Sequence, residues 1–192
     1  MITKNLNVTC IGAGVIGSGW AARLLVNGIN VTVFDKQPES YHRTNSSIKR
    51  AKKYLSQLTK APLRTIGNLT FAKSLEDALK IPNYIIESLP ENLQLKHNLY
   101  KEIEQISNNS IILSSTSGFK PTDLQKHMKN AQNLLVTHPF NPVYLMPLVE
   151  VVPGQERDQN IVDDVHHLLE YIGMVPIIIK KEIDAFVADR ML

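Results

Sequence analysis

Apolar residues along this chain come in short runs separated by stretches with helical spacing. Leu6 to Ile11 reads as a strand, and the period turns helical from Val15 to Asn27, where Gly28 is placed to stop the helix. Trp20, Leu24 and Leu25 form the packing face of that helix. Val31-Thr32-Val33-Phe34 is a second strand, and Ser40 to Lys60 has the helical period until Pro62 ends it. Leu69 to Ala72, Tyr84 to Glu87, Ile111 to Ser114, Leu134 to Thr137, Leu148 to Val152 and Val175 to Ile179 are further runs of strand length. Helical patterns stand between them over Ser74 to Leu79, Asn92 to Ile106 and Asp158 to Tyr171; Pro121 starts one more, and Gly173 ends the last. Strands alternating with helices predict an α/β fold, a doubly wound and mostly parallel sheet of Rossmann type.

The first strand-to-helix junction carries the most specific pattern. Gly12-Ala13-Gly14-Val15-Ile16-Gly17 is a G-x-G-x-x-G run. Its first glycine permits the tight turn, its second lets a pyrophosphate approach the backbone, and its third lets helix and strand pack closely. The helix N-terminus then offers free N–H groups and the positive end of its dipole to the anion. Asp35 ends the second strand, 23 residues after Gly12, where a Rossmann unit places the carboxylate that binds the adenosine ribose hydroxyls. A carboxylate there repels a 2′-phosphate, so the expected cofactor is NAD rather than NADP, although Lys36 stands next to it.

Composition changes this picture little but excludes several classes. Net charge is +3, from 21 Lys+Arg against 18 Asp+Glu, and no long basic tract appears, so a nucleic-acid partner is not expected. The longest apolar stretch falls far short of the roughly 20 residues that span a bilayer. Thr3, Lys4, Asn5 and Asn7 interrupt any signal-peptide core, and Cys10 is the only cysteine, so no intrachain disulfide can form. A cytoplasmic enzyme with a small-molecule substrate fits these features. Arg43, Lys49, Arg50, Lys52 and Lys53 gather in the second helix, which reads as a solvated face or as an edge that steers anions.

Other strand ends carry candidate chemistry. His138 closes a strand, and Pro139 and Pro142 stiffen the loop beyond it. An imidazole titrates near neutrality and suits removal of a hydroxyl proton as hydride leaves; it could equally be structural. Glu150, 12 residues on, is the best candidate to accept a hydrogen bond from its other nitrogen. Ser114-Ser115-Thr116-Ser117-Gly118 is either a polar turn or a hydroxyl cluster in which Ser117 binds the substrate oxygen and the nicotinamide. Glu91 and Lys96 follow another strand end and could be a surface ion pair.

Taken together, the glycine loop with Asp35, Ser88-Leu89-Pro90-Glu91, Ser114 to Gly118 and His138-Pro139-Phe140-Asn141-Pro142 followed by Leu148 to Val152 resemble the 3-hydroxyacyl-CoA dehydrogenase family in order and spacing. Gly12 to Arg23, His138 to Val152 and Lys181 to Arg190 are most similar to members that oxidise L-carnitine to 3-dehydrocarnitine with NAD. The resemblance implies that His138 is the general base and Glu150 its orienting carboxylate. It also implies that Ser117 and Asn141 line the reacting centre, and that Glu91 and Lys96 approach the nicotinamide half of NAD. Asp189 stands where acyl-CoA members carry Asn, and a carboxylate there suits a cationic substrate. A 3-hydroxyacyl-CoA or L-gulonate 3-dehydrogenase is the alternative enzyme, and a non-catalytic NAD-binding module the alternative of another class. The family continues into a helical domain that closes the site and forms a homodimer. The chain is therefore read as an NAD-binding domain over 1–182 and the start of a shortened helical domain over 183–192, with little activity alone. Asp184 to Leu192 reads as a helix just begun, with Phe186, Val187, Met191 and Leu192 in need of a partner surface.

Overall fold

The computed structural model describes residues 6–58, 65–187 and 190. Their strands are β1 (Asn7–Ile11), β2 (Asn30–Phe34), β3 (Leu69–Phe71), β4 (Tyr84–Glu87), β5 (Ile111–Ser114), β6 (Leu134–Pro139), β7 (Leu148–Pro153) and β8 (Val175–Ile178). All lie in an eight-stranded sheet of order β3-β2-β1-β4-β5-β6-β7-β8. β1 to β6 are mutually parallel, β7 runs antiparallel to β6, and β8 is parallel to β7. The chain moves outward from β1 to β3 and then returns to place β4 on the other side of β1. This reversal opens a crevice at the carboxyl ends of β1 and β4, where doubly wound sheets bind ligands.

The helices are α1 (Val15–Val26), α2 (Ser40–Leu58), α3 (Leu75–Ala78), α4 (Leu93–Ile106), α5 (Pro121–Gln125) and α6 (Gln159–Tyr171). Alternation along the strands sorts them into two layers. Cys10, Ile86 and Leu113 face a core shared with α1, α2 and α6, through Trp20, Ala51 and Val165 among others. Ile11, Ile85 and Ile112 face the other core, built with Leu75, Tyr100 and Leu124 from α3, α4 and α5. Both faces are covered, which is why the central strands read as continuous apolar runs. Ser74, Asn92 and Asp158 cap α3, α4 and α6 by accepting from Asp77, Leu95 and Asn160 N–H groups.

Arg23 ties α1 to the C-terminal end of α6 and to the loop after β6. It is buried, among the described residues without a carboxylate partner, and it donates from Nε to Ile172 O (2.8 Å), from Nη1 to Tyr144 O (3.3 Å) and from Nη2 to Gly173 O. Burial lowers its pKa to about 10, so the guanidinium stays charged at neutral pH and donates to three carbonyls at once.

Two stretches differ from expectation. β6 runs on to Pro139, two residues past Thr137, because His138 and Pro139 pair with Glu150 and Val149 of β7. Asp184 to Val187 is a turn rather than a helix, with Ala185 and Phe186 at φ 58° and 51°. Phe186 is fully buried in the α3–α5 core, so the chain folds back onto the sheet instead of projecting as a helix. Lys60, Pro62, Met191 and Leu192 lie outside the described residues. Among the described residues no helix is long and apolar enough to cross a membrane.

Candidate active site

At the carboxyl end of β1, Gly12 adopts φ +84°, and a Cβ there would lie 2.6 Å from Ser88 O on the neighbouring strand's exit. A Cβ on Gly17 would lie 1.8 Å from Gly12 O, so this glycine sets the contact between α1 and the loop. Gly14 differs: a Cβ there would meet nothing within 4 Å, and no side chain caps α1. Asp35, at the end of β2, turns into the loop. Its Oδ2 accepts from Ala13 N (2.5 Å) and its Oδ1 from Gln37 N (2.7 Å). Arg43 of α2 donates to Ala13 O at 2.9 Å. Open space over an uncapped helix N-terminus, beside a strand-end carboxylate, can hold a dinucleotide's pyrophosphate and ribose. Gly17→Ala is expected to force α1 off the loop, lowering stability by about 1–3 kcal/mol and weakening NADH binding at least tenfold. Calorimetric titration of the folded variant checks this, and wild-type affinity would show that the close approach is dispensable.

The ends of β4 and β5 hold a buried polar network. Glu87 is 0% exposed and accepts four hydrogen bonds. Leu89 N (2.6 Å) and Lys96 Nζ (2.7 Å) donate to Oε1, and the Tyr100 and Ser114 hydroxyls (each 2.7 Å) donate to Oε2. Burial, reinforced by the Glu87 charge, pushes the Tyr100 phenol well above its ordinary pKa and keeps it a donor. Lys96 is 1% exposed and also donates to Leu89 O. It pairs with Glu87 in the interior, and its Nζ also lies 3.8 Å from Glu91, whose carboxylate is 43% exposed, an ion pair without a hydrogen bond. Glu91 instead accepts from Thr116 Oγ1 (2.8 Å) and Ser117 N (2.7 Å), which joins the loops after β4 and β5. Beneath the glycine loop, Trp20 Nε1 donates to Ser115 Oγ (3.1 Å), which shares a hydrogen bond with Ser88 Oγ (3.0 Å).

His138 and Glu150 face each other across the β6–β7 ladder, and Nδ1 lies 2.9 Å from Oε2. Directly opposed residues of an antiparallel pair share a sheet face, which gives the spacing of 12 residues its meaning. Both are buried, at 7% and 3% exposure. Phe140 and Phe186 flank the imidazole, with ring centroids 5.3 and 5.5 Å away. With Nδ1–H donated to the carboxylate, Nε2 carries the lone pair and can accept a proton. Glu150 Oε1 accepts a further hydrogen bond from Val187 N at 3.0 Å. Asn141 is exposed on the loop beyond β6, and Asp189 lies outside the described residues.

The structure thus pairs His138 with Glu150 and Glu91 with Ser117, and it seats Asp35 against the glycine loop. The sequence does not place Glu87 and Tyr100 at the site, and it marks Phe186 and Val187 only as apolar residues in need of a partner surface, not as neighbours of the dyad. A signal existed for Glu87, a charge closing the apolar run Tyr84-Ile85-Ile86 in a strand covered on both faces. Among the described residues no group of three or more His, Cys, Asp or Glu could hold a metal ion.

Residues 7–183 match the family model for the 3-hydroxyacyl-CoA dehydrogenase NAD-binding domain. L-carnitine dehydrogenase of Mesorhizobium japonicum is 47% identical over 184 residues, covering 95% of this chain and 50% of that protein. The enzyme of the same name from Oceanobacillus iheyensis is 45% identical over 186 residues, covering 96% of this chain and 61% of that protein. Among solved structures, an NAD+-dependent FHMPC 5-dehydrogenase superposes with TM-score 0.89 at 31% identity, covering 97% of this chain and 61% of that one. The 3-hydroxybutyryl-CoA dehydrogenase of Escherichia coli superposes with TM-score 0.81 at 26% identity, over 91% of this chain and 38% of that one. The chain spans about half to three-fifths of the length of the two curated relatives.

Proposed function

Because the chain belongs to the 3-hydroxyacyl-CoA dehydrogenase family by its NAD-binding domain, we propose that it supplies the cofactor site and acid–base dyad for NAD-dependent oxidation of the 3-hydroxyl of L-carnitine. NAD, when bound, supplies the hydride acceptor. The substrate reading rests on the carnitine dehydrogenases that are 47% and 45% identical to it over 184 and 186 residues. The chemical reading rests on one observation above the others, the buried His138–Glu150 pair at the carboxyl edge of the sheet.

In this reading Gly12 to Gly17 receive the pyrophosphate and Asp35 the adenosine ribose. Asp35, which accepts from Ala13 N and Gln37 N, would accept from the ribose hydroxyls when the cofactor is bound. Glu91, held by Thr116 and Ser117, orients the nicotinamide ribose, and Lys96 acts from beneath through Glu91 and the Leu89 carbonyl. Ser117 and Asn141 position the substrate's oxygen next to the nicotinamide, and Asp189 attracts a cationic group. His138 Nε2 takes the hydroxyl proton, while Glu150 fixes the tautomer and stabilises the imidazolium that results. Homodimer formation, and little turnover by the NAD-binding domain alone, belong to the same reading. A 3-hydroxyacyl-CoA remains the second reading, favoured by Lys49, Arg50, Lys52 and Lys53 standing exposed along α2, where they can attract phosphates.

Calorimetric titration with NADH, followed by an assay of NADH formation from carnitine and from CoA thioesters, tests the proposal. Binding without turnover by this chain, and carnitine-dependent turnover by a longer form, are expected. Absence of NADH binding would overturn the reading. Preference for CoA thioesters would replace the substrate, and no turnover in any form would leave a nucleotide-binding module.

A further inference from the structure

The stretch that follows β8 does not simply leave the sheet. It returns towards the dyad and is fastened at each step. Glu182 Oε1 accepts from Thr122 N (2.7 Å) and Thr122 Oγ1 (2.8 Å) in the first turn of α5. Asp184 pairs with Lys120 at 2.9 Å. Ala185 and Phe186 then take left-handed conformations, φ 58° and 51°, which L-residues adopt when their surroundings impose them. Their effect is to set the Phe186 ring against His138 and to aim the next N–H at Glu150 Oε1, 3.0 Å away.

We infer that residues 182–187 are a positioning element for the dyad, in which Val187 N–H holds Glu150 by Oε1 so that Oε2 stays directed at His138 Nδ1. This deepens the proposed role of His138 as base and rests on it. A carboxylate held at one oxygen can turn about its χ angles. Held at both, it presents a fixed acceptor, and the imidazole's Nδ1–H tautomer follows from that acceptor. Phe186, fully buried, closes one face of the ring and limits its rotation. The acid–base pair therefore depends on a peptide group contributed from outside the β6–β7 hairpin, on the segment that leads away from the sheet.

The test replaces Val187 with the corresponding α-hydroxy acid, which removes the N–H and keeps the side chain; V187A, which keeps the N–H, is its control. Imidazole 15N spectra of His138 read the tautomer directly. The unaltered chain and V187A are expected to show the Nδ1–H form as the dominant tautomer, and the ester-linked chain at least a tenfold rise in the ratio of Nε2–H to Nδ1–H. Should the ester-linked chain not fold, Phe186→Leu, which keeps an apolar side chain in that space, is expected to move the ratio the same way. In addition, Glu150→Gln is expected to shift the Val187 amide proton upfield. An unchanged ratio in the folded ester, or in Phe186→Leu together with an unmoved Val187 amide, overturns the inference. A His138 that is not Nδ1–H in the unaltered chain overturns the reading of the dyad itself, which separates the two failures.

Discussion

Glu87→Leu is expected to lower the free energy of unfolding by about 3–5 kcal/mol, one of the two largest effects the structure predicts for a single side chain. The carboxylate is fully buried and lies 2.7 Å from an ammonium that is itself 1% exposed. Removing it strands the Lys96 charge in the interior, and it leaves the Tyr100 and Ser114 hydroxyls without the acceptor they share. Leucine fills most of the space, so the loss is electrostatic rather than a cavity. Lys96→Met in the same background is therefore expected to recover at least half of it, because replacing both members of a buried pair by apolar groups can be nearly neutral. Urea unfolding of the two single variants and the double variant gives the coupling directly. Losses that add, with no recovery in the double variant, would mean that the pair is not what stabilises this edge of the sheet.

With His138 as the proposed base, His138→Ala in a form that turns over a 3-hydroxy acid is expected to lower kcat by about 10²–10⁴-fold, the usual worth of a positioned general base. NADH affinity should stay within a factor of about two, since the glycine loop and Asp35 draw nothing from β6 in forming their contacts. Glu150→Gln is expected to cost less than His138→Ala, because it leaves the base in place and disturbs only its tautomer. Stopped-flow hydride transfer in both variants measures the chemical step apart from release. A His138→Ala enzyme with unaltered kcat would place the base elsewhere.

The fold was legible because its central strands are buried on both faces, so β4 and β5 appear as short apolar runs. Tyr84–Glu87 and Ile111–Ser114 have the bounds their runs predict. The reversed direction of β7 was not legible, since apolar period says nothing about strand polarity, and with it went the reason for pairing residues 138 and 150. Within the site, the glycines and Asp35 stand out because their roles are local to one strand–turn–helix unit. Glu87 with Lys96 did not, because their partnership depends on α4 lying across the strand ends, which only packing decides. The turn at Ala185 escaped for a related reason. Its residues favour a helix, and the burial of Phe186 overrides that preference.

The hairpin register has a wider consequence. His138 and Glu150 are rungs of one ladder, in step with Leu135–Pro153, Val136–Val152 and Thr137–Val151. Their separation is a property of strand pairing, independent of the loop that joins the strands. Residues 140–147 can therefore lengthen, shorten or change character without moving His138 relative to Glu150, whereas one residue inserted within either strand would turn a member of the pair to the opposite face. On the proposed reading, a lineage built on this hairpin could exchange one hydroxy acid for another at the loop while inheriting the His138–Glu150 geometry intact.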